Sequence, residues 1–296
     1  MSDRTIVHGE AGWGLHLAGI ESADTLSGNG PDFVSLVHPS GSSARIALHG
    51  AHVVNWADAD GNERLYLSSC ARYGPGDAIR GGIPVIFPQF AVGPLPKHGF
   101  LRTRRWALIS KTESGATFQI SDDDQTRTLW PYHFLAELTV DLAATLSISL
   151  RIVNTGDSPF TFTAALHNYF RVADVKRATV SGLSGLTYVD KVAGGTRQLE
   201  ETPELHVLGE TDRIYVAGPR RVAIASALGS SSTTLEADGF RDWVVWNPWR
   251  ELTATLADMD PEDYLRMVCV EAGRIADPVT LAPGTAWCGK EVLGST

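Results

Sequence analysis

Along most of the chain after residue 31, apolar and polar residues alternate in short runs separated by turn residues. Thr145–Val153 is the clearest run: Leu146, Ile148, Leu150 and Ile152 alternate with Ser147, Ser149 and Arg151. A period of two puts one set of side chains on a core and the other in water, as in a half-buried antiparallel strand. The same rhythm predicts strands over Ala44–Leu48, His52–Trp56, Thr117–Ser121, Phe134–Leu142, Phe160–Leu166, Asp212–Val216, Arg221–Ser226, Trp243–Trp246, Val268–Glu271 and Ala286–Val292. Between them, Asp58–Asn62 reads as a hairpin loop around Asp60-Gly61, and Asn154-Thr155-Gly156-Asp157 closes another strand. Helical periodicity is nearly absent. The exception is Asp260-Pro261-Glu262-Asp263-Tyr264, where a capping acid, a first-turn proline and further acids predict a short helix. Many short strands at close intervals predict an all-β sandwich or barrel. No repeat or shift in composition marks a boundary, so one domain is expected over residues 31–296. Residues 1–30, ending in a Ser-Gly-Asn-Gly turn before Pro31, read as a lead-in segment.

Composition narrows the classes of function. The chain has 296 residues, a net charge of -9 and 43% apolar residues, enough for a large single core. An acidic chain of this kind gives no support to a nucleic-acid or membrane-surface partner. Three cysteines with no Cys-x-x-Cys spacing point to free thiols in a reducing compartment. The start lacks the build of a signal peptide, and the longest apolar run, Ile83–Leu95, is broken by Pro84, Pro88 and Pro94. A cytoplasmic location is the expectation.

Chemistry is concentrated in three stretches. Thr161–Arg171 begins as an alternating strand and delivers His167 into a group of hydrogen-bonding and aromatic residues, where it could serve as an acid near neutral pH. Taken alone, a core histidine satisfied by a backbone carbonyl is the more economical reading. The Gly74–Gly99 loop is rich in glycine and proline; Arg80, Lys97, His98, Arg102, Arg104 and Arg105 gather in and just beyond it. In an acidic protein this suits an anion site; ion pairs with Asp77 and other acids would explain it equally well. Glu271 ends an apolar run before Ala272-Gly273. Burial there would raise its pKa and suit a general base, whereas a rim position is the commoner fate. Trp243, Trp246 and Trp249 could stack on sugar faces, although tryptophans in a β core are the default. His49 and His52, three apart in a strand, point to opposite faces and make a poor metal site. The chain has no Gly-x-Ser-x-Gly, P-loop or dinucleotide-binding glycine motif.

Six segments taken in order resemble the aldose 1-epimerase (mutarotase) superfamily, and within it the branch that acts on hexose 6-phosphates. They are Arg80-Gly81-Gly82-Ile83-Pro84, Lys97-His98-Gly99-Phe100 with Arg102, Leu166–Phe170, Glu210–Tyr215, Val245–Trp249 and Val268–Glu271. Departures are Ala91-Val92 before Gly93, and Arg250 after Asn-Pro-Trp. The resemblance implies a galactose-mutarotase-like β-supersandwich with no cofactor and no metal. It implies His167 as acid, Glu271 as base, and Arg80, His98, Arg102 and Asp212 as sugar- and phosphate-contacting residues, with Lys97 as a helper. It also implies a monomer whose partner is a small sugar phosphate. Alternatives are a mutarotase of free aldoses, a non-catalytic sugar-phosphate sensor, and a lyase or glycosidase on a related sandwich.

Overall fold

The alternating strands assemble into two large antiparallel sheets whose apolar faces meet. In the computed structural model the protein is described over residues 32–226 and 232–295; the lead-in segment, residues 1–30, lies outside the described residues. The nine-stranded sheet runs, edge to edge, Glu204–His206, Thr179–Ser181, Arg221–Ala225, Ser232–Asp238, Ala286–Ser295, Leu146–Asn154, Phe134–Leu142, Gly115–Ser121 and Ala107–Lys111. The eight-stranded sheet runs Thr196–Leu199, Thr187–Asp190, Thr211–Tyr215, Asp242–Asn247, Met267–Leu281, Phe160–Leu166 and Val85–Ile86, with Tyr169–Arg171 also paired to the long strand. A three-stranded sheet, Phe33–Val37, Ser43–Ala47 and His52–Ala57, packs alongside.

The period-two pattern is what joins the layers. Leu146, Ile148, Leu150 and Ile152 are fully buried and pair across the ladder with Leu142, Val140, Leu138 and Ala136. One contiguous apolar cluster continues through Phe87, Phe134, Phe162, Val245 and Val270, so both sheets share a core. Each fully buried leucine or isoleucine there contributes about 1.5–3 kcal/mol relative to exposure.

Local structure departs from the sequence reading in several places, and strands such as Phe33–Val37 and Ser232–Asp238 are not among those predicted. The strand predicted to end at Glu271 runs on to Leu281; Ala272-Gly273 stays in the ladder, and the register shifts only between Arg274 and Val279. The helix predicted at Asp260 shrinks to a single 3-10 turn, Asp263–Arg266. Asp260 still accepts from Glu262 N, so its capping role is spent on a turn rather than a helix start. Two short α-helices, Asp124–Leu129 and Trp249–Thr253, carry no periodic signal because neither is long enough to repeat a face. The first is set by an Asp123–Thr126 capping box. Among the described residues, no helix is long and apolar enough to cross a membrane.

Candidate active site

One face of the eight-stranded sheet carries most of the cleft. Register pairs Glu271 with Val244, Cys269 with Trp246, Asp212 with Trp246, Ile214 with Val244, and Tyr169 with Cys269. Paired residues share a face, and so do residues two apart. The sequences Asp-x-Ile, Val-x-Trp and Cys-x-Glu therefore project side by side from three neighbouring strands. The opposite wall comes from Ala78–Arg80, Phe90–Ala91 and the Lys97–Arg102 segment, leaving an open cleft of about 770 Å³ including its mouth.

His167 leaves the sheet where Phe160–Leu166 ends. Its backbone N–H bonds to Pro84 O at 3.0 Å, and that of Tyr169 to Gly82 O at 2.9 Å. This close approach needs glycine: Gly82 has φ of +60°, and a Cβ there would lie 2.3 Å from Val53 O. The imidazole stacks on Tyr169 with centroids 4.8 Å apart and meets the His98 ring edge-on at 5.4 Å. His167 Nε2 lies 3.4 Å from Glu271 Oε1. Both side chains are buried, and His167 Nδ1 and Glu271 Oε2 have no hydrogen-bond partner among the described residues.

Burial sets the proton affinities of this pair. It pushes the Glu271 carboxyl well above its usual value, with the nearby Asp212 charge adding to the effect. It pushes the His167 imidazole well below its usual value, and His98, Arg102 and Arg80 add repulsion. The expectation that His167 keeps its own proton near neutral pH is thus not met by the protein's own groups. Forming an ion pair out of water costs more than leaving one shared proton on Glu271.

The cationic loop divides in two. Arg80 is neutralised by Asp258, with Nε and Nη2 each 3.2 Å from a carboxylate oxygen, and its Nη1 donates to the Tyr169 hydroxyl at 3.1 Å. The ion pair therefore exists, with Asp258 in place of the suspected Asp77. Arg102 Nη2 donates to Lys97 O at 2.9 Å, and its buried Nε has no partner among the described residues. Burial lowers the pKa of both Arg102 and Lys97, and the mutual repulsion of the loop's cations adds to it for Lys97. His98 sits at φ of +65° beside Gly99, where a Cβ would lie 2.0 Å from Phe87 O. Burial and then Arg102 lower the His98 imidazole to about 3. Asp212, raised by burial, faces Lys97 and Lys191.

All seven residues that the resemblance implies for the site line this one cleft: His167, Glu271, Arg80, Lys97, His98, Arg102 and Asp212. Arg104 and Arg105 do not; they pair with Asp123 and Asp32. His49 and His52 hold the loop from behind through Asp77 O and Gly81 O, each at 2.7 Å. Lys191, Asp258 and the lining role of Ile79 escape the sequence reading, because a turn lysine and an acid 178 positions from Arg80 carry no local signal. His167, Cys269 and Glu271 place donor atoms within 4.8 Å of one another. Arg80, Arg102 and Lys97 around them oppose a divalent cation there.

Residues 32–293 match the aldose 1-epimerase family model. A Cenchrus ciliaris protein provisionally named glucose-6-phosphate 1-epimerase is 33% identical over 266 residues, covering 85% of this chain and 81% of its own length. A Salmonella typhimurium structure, provisionally described as a mutarotase, superposes with a TM-score of 0.83 at 28% identity, covering 90% of each chain. A galactose mutarotase-like protein from Lactobacillus casei shares the fold, with a TM-score of 0.73 at 18% identity over 89% of this chain and 100% of that one. The chain belongs to the aldose 1-epimerase family and is an isomerase of the galactose-mutarotase-like β-sandwich fold.

Proposed function

We propose that the protein interconverts the α and β anomers of a hexose 6-phosphate, glucose 6-phosphate foremost, with Glu271 and His167 as the proton-transfer pair. One observation carries this reading: a buried carboxyl and imidazole 3.4 Å apart share a cleft with Arg102 and Lys97, cations without a carboxylate partner among the described residues. The provisional names of the relatives agree with it.

A phosphate dianion bound at Arg102, Lys97 and the outer edge of Arg80 cancels the charges that repel a cationic His167. The shared proton then crosses from Glu271 to His167. The Glu271 carboxylate takes the proton of the C1 hydroxyl, whose O–H electron pair becomes the second bond of a C1 aldehyde. The C1–O5 bond breaks, and O5 takes the proton on His167 Nε2. Rotation about C1–C2 presents the other carbonyl face, and closure runs the same transfers backwards. General acid–base catalysis of this kind is worth about 10²–10⁴-fold per group. Asp212 and His98 are positioned to hold ring hydroxyls.

Exchange NMR between anomers of glucose 6-phosphate, glucose and galactose tests the assignment. Expected is faster exchange with the phosphorylated sugar, falling at least about 10²-fold in His167→Ala and Glu271→Gln while the melting temperature holds. Full exchange in either variant refutes the pair.

A further inference from the structure

Behind the proton-transfer pair lies a second buried carboxyl that the reaction does not use. Glu291 sits in Ala286–Ser295 of the opposite, nine-stranded sheet, with 0% of its surface exposed. Its side chain crosses the interior to Asn168, whose Nδ2 lies 2.8 and 3.0 Å from its two oxygens. Asn168, also fully buried, directly follows His167. The same Nδ2 donates to Val270 O at 3.0 Å, and Asn168 O accepts from Val270 N at 3.3 Å. Val270 directly precedes Glu271. A side-chain amide has two N–H donors; here one reaches the strand bearing the base, and the other is shared between the oxygens of Glu291.

We propose that Glu291 is a positioning residue of the epimerase: by accepting the second Asn168 N–H it fixes the rotamer that ties the His167 segment to the Glu271 strand. The inference rests on the assignment of His167 and Glu271 as the reacting pair. Burying a carboxyl in an apolar interior destabilises a fold unless it is well partnered, and Asn168 is the one hydrogen-bond partner of Glu291 among the described residues. Such a group costs stability where a leucine would not. Its presence directly behind the reacting pair is accounted for by what it holds. Burial lifts the Glu291 carboxyl to about 8, so at neutral pH it is mainly uncharged and a glutamine reproduces its shape and its acceptor.

The test compares three variants by anomer-exchange NMR and thermal melting. Glu291→Gln keeps an acceptor for Asn168 and is expected to retain kcat within about threefold. Glu291→Leu removes the acceptor and leaves one buried Asn168 N–H unpaired, so its melting temperature is expected to fall modestly, while at a temperature where the variant is fully folded kcat falls at least about tenfold at nearly constant KM. A displacement of about 1 Å between reacting groups costs up to about 10²-fold. A role confined to the fold would move kcat only in step with melting. Should Glu291→Leu fail to fold, Asn168→Ser, too short to reach Glu291, is expected to show the same kcat loss. Wild-type kcat in whichever of these two variants folds overturns the proposal, as does an equal loss in Glu291→Gln. If His167→Ala and Glu271→Gln are inactive while Glu291→Leu is not, the pair stands and the positioning role falls.

Discussion

Replacing Arg102 with methionine separates phosphate recognition from catalysis. Methionine keeps much of the apolar stem and removes the guanidinium. One Nη of Arg102 is committed to Lys97 O, whereas Nε is buried and has no partner among the described residues. One or two charge-assisted bonds are therefore available to a phosphate, each worth about 1.5–3 kcal/mol. Because the group is partly open to solvent, we take about 2–4 kcal/mol for the whole, or roughly 30- to 700-fold in kcat/KM at 1.4 kcal/mol per decade. The loss should fall on glucose 6-phosphate, with free glucose changed by less than about threefold. Lysine at the same position keeps a charge without the planar fork and should lie between. The assay is exchange NMR on both sugars at matched ionic strength. Arg102 also repels a proton on His167, so its removal eases charging of the imidazole and cannot itself explain a loss. Equal losses on both sugars would refute the phosphate role.

Two further outcomes follow from the buried ionisable groups. Turnover on an unphosphorylated sugar, which avoids the titration of the phosphate itself, should follow a bell whose acid limb lies below about 6.5, because burial holds His167 down, and whose alkaline limb lies above the usual carboxylate range, because burial holds Glu271 up. An acid limb above the ordinary imidazole value would contradict this; the limits belong to the pair rather than to either residue. The folded protein keeps His52, His98 and His167 uncharged, while an unfolded chain protonates them below about 6.5. Their stabilisation is complete above that pH and is lost as the pH falls. Glu271, Glu291, Glu63 and Asp212 act in the opposite sense above the ordinary carboxylate range, because burial raises all four. Glu291→Leu removes one of these opposing groups, so its denaturant midpoint should fall more steeply than the wild type's as the pH drops from about 6 to 5; parallel profiles would show that Glu291 is not held protonated.

Many strands with one face in water were legible, although Phe33–Val37 and Ser232–Asp238, which alternate in burial, were not. Phe134–Leu142 and Phe160–Leu166 emerge with the predicted limits, since alternation reports burial directly. Edge strands such as Thr196–Leu199, exposed throughout, have no such contrast and pass unread. The site was legible where one short motif held several of its members, as with Lys97, His98 and Arg102. It was not where long-range pairing did the work. Asp258 and Glu291 meet Arg80 and Asn168 only because segments distant in the chain converge, and no local pattern announces either contact. The charge state of the pair lay furthest from view: a carboxylate beside His167 predicts a protonated imidazole, and only the depth of burial reverses that sign.

The cleft is open at one end and closed at the other, and this asymmetry suits a substrate that must come apart without leaving. Lys97 is exposed, whereas His167 and Glu271 are almost wholly covered. On the proposed reading, an opened sugar has lost its ring but keeps its phosphate, so it stays moored at one end while the aldehyde swings at the other. The mooring makes recapture of the chain faster than its escape, so the aldehyde, the reactive form of the sugar, is not shed into solution at each turnover.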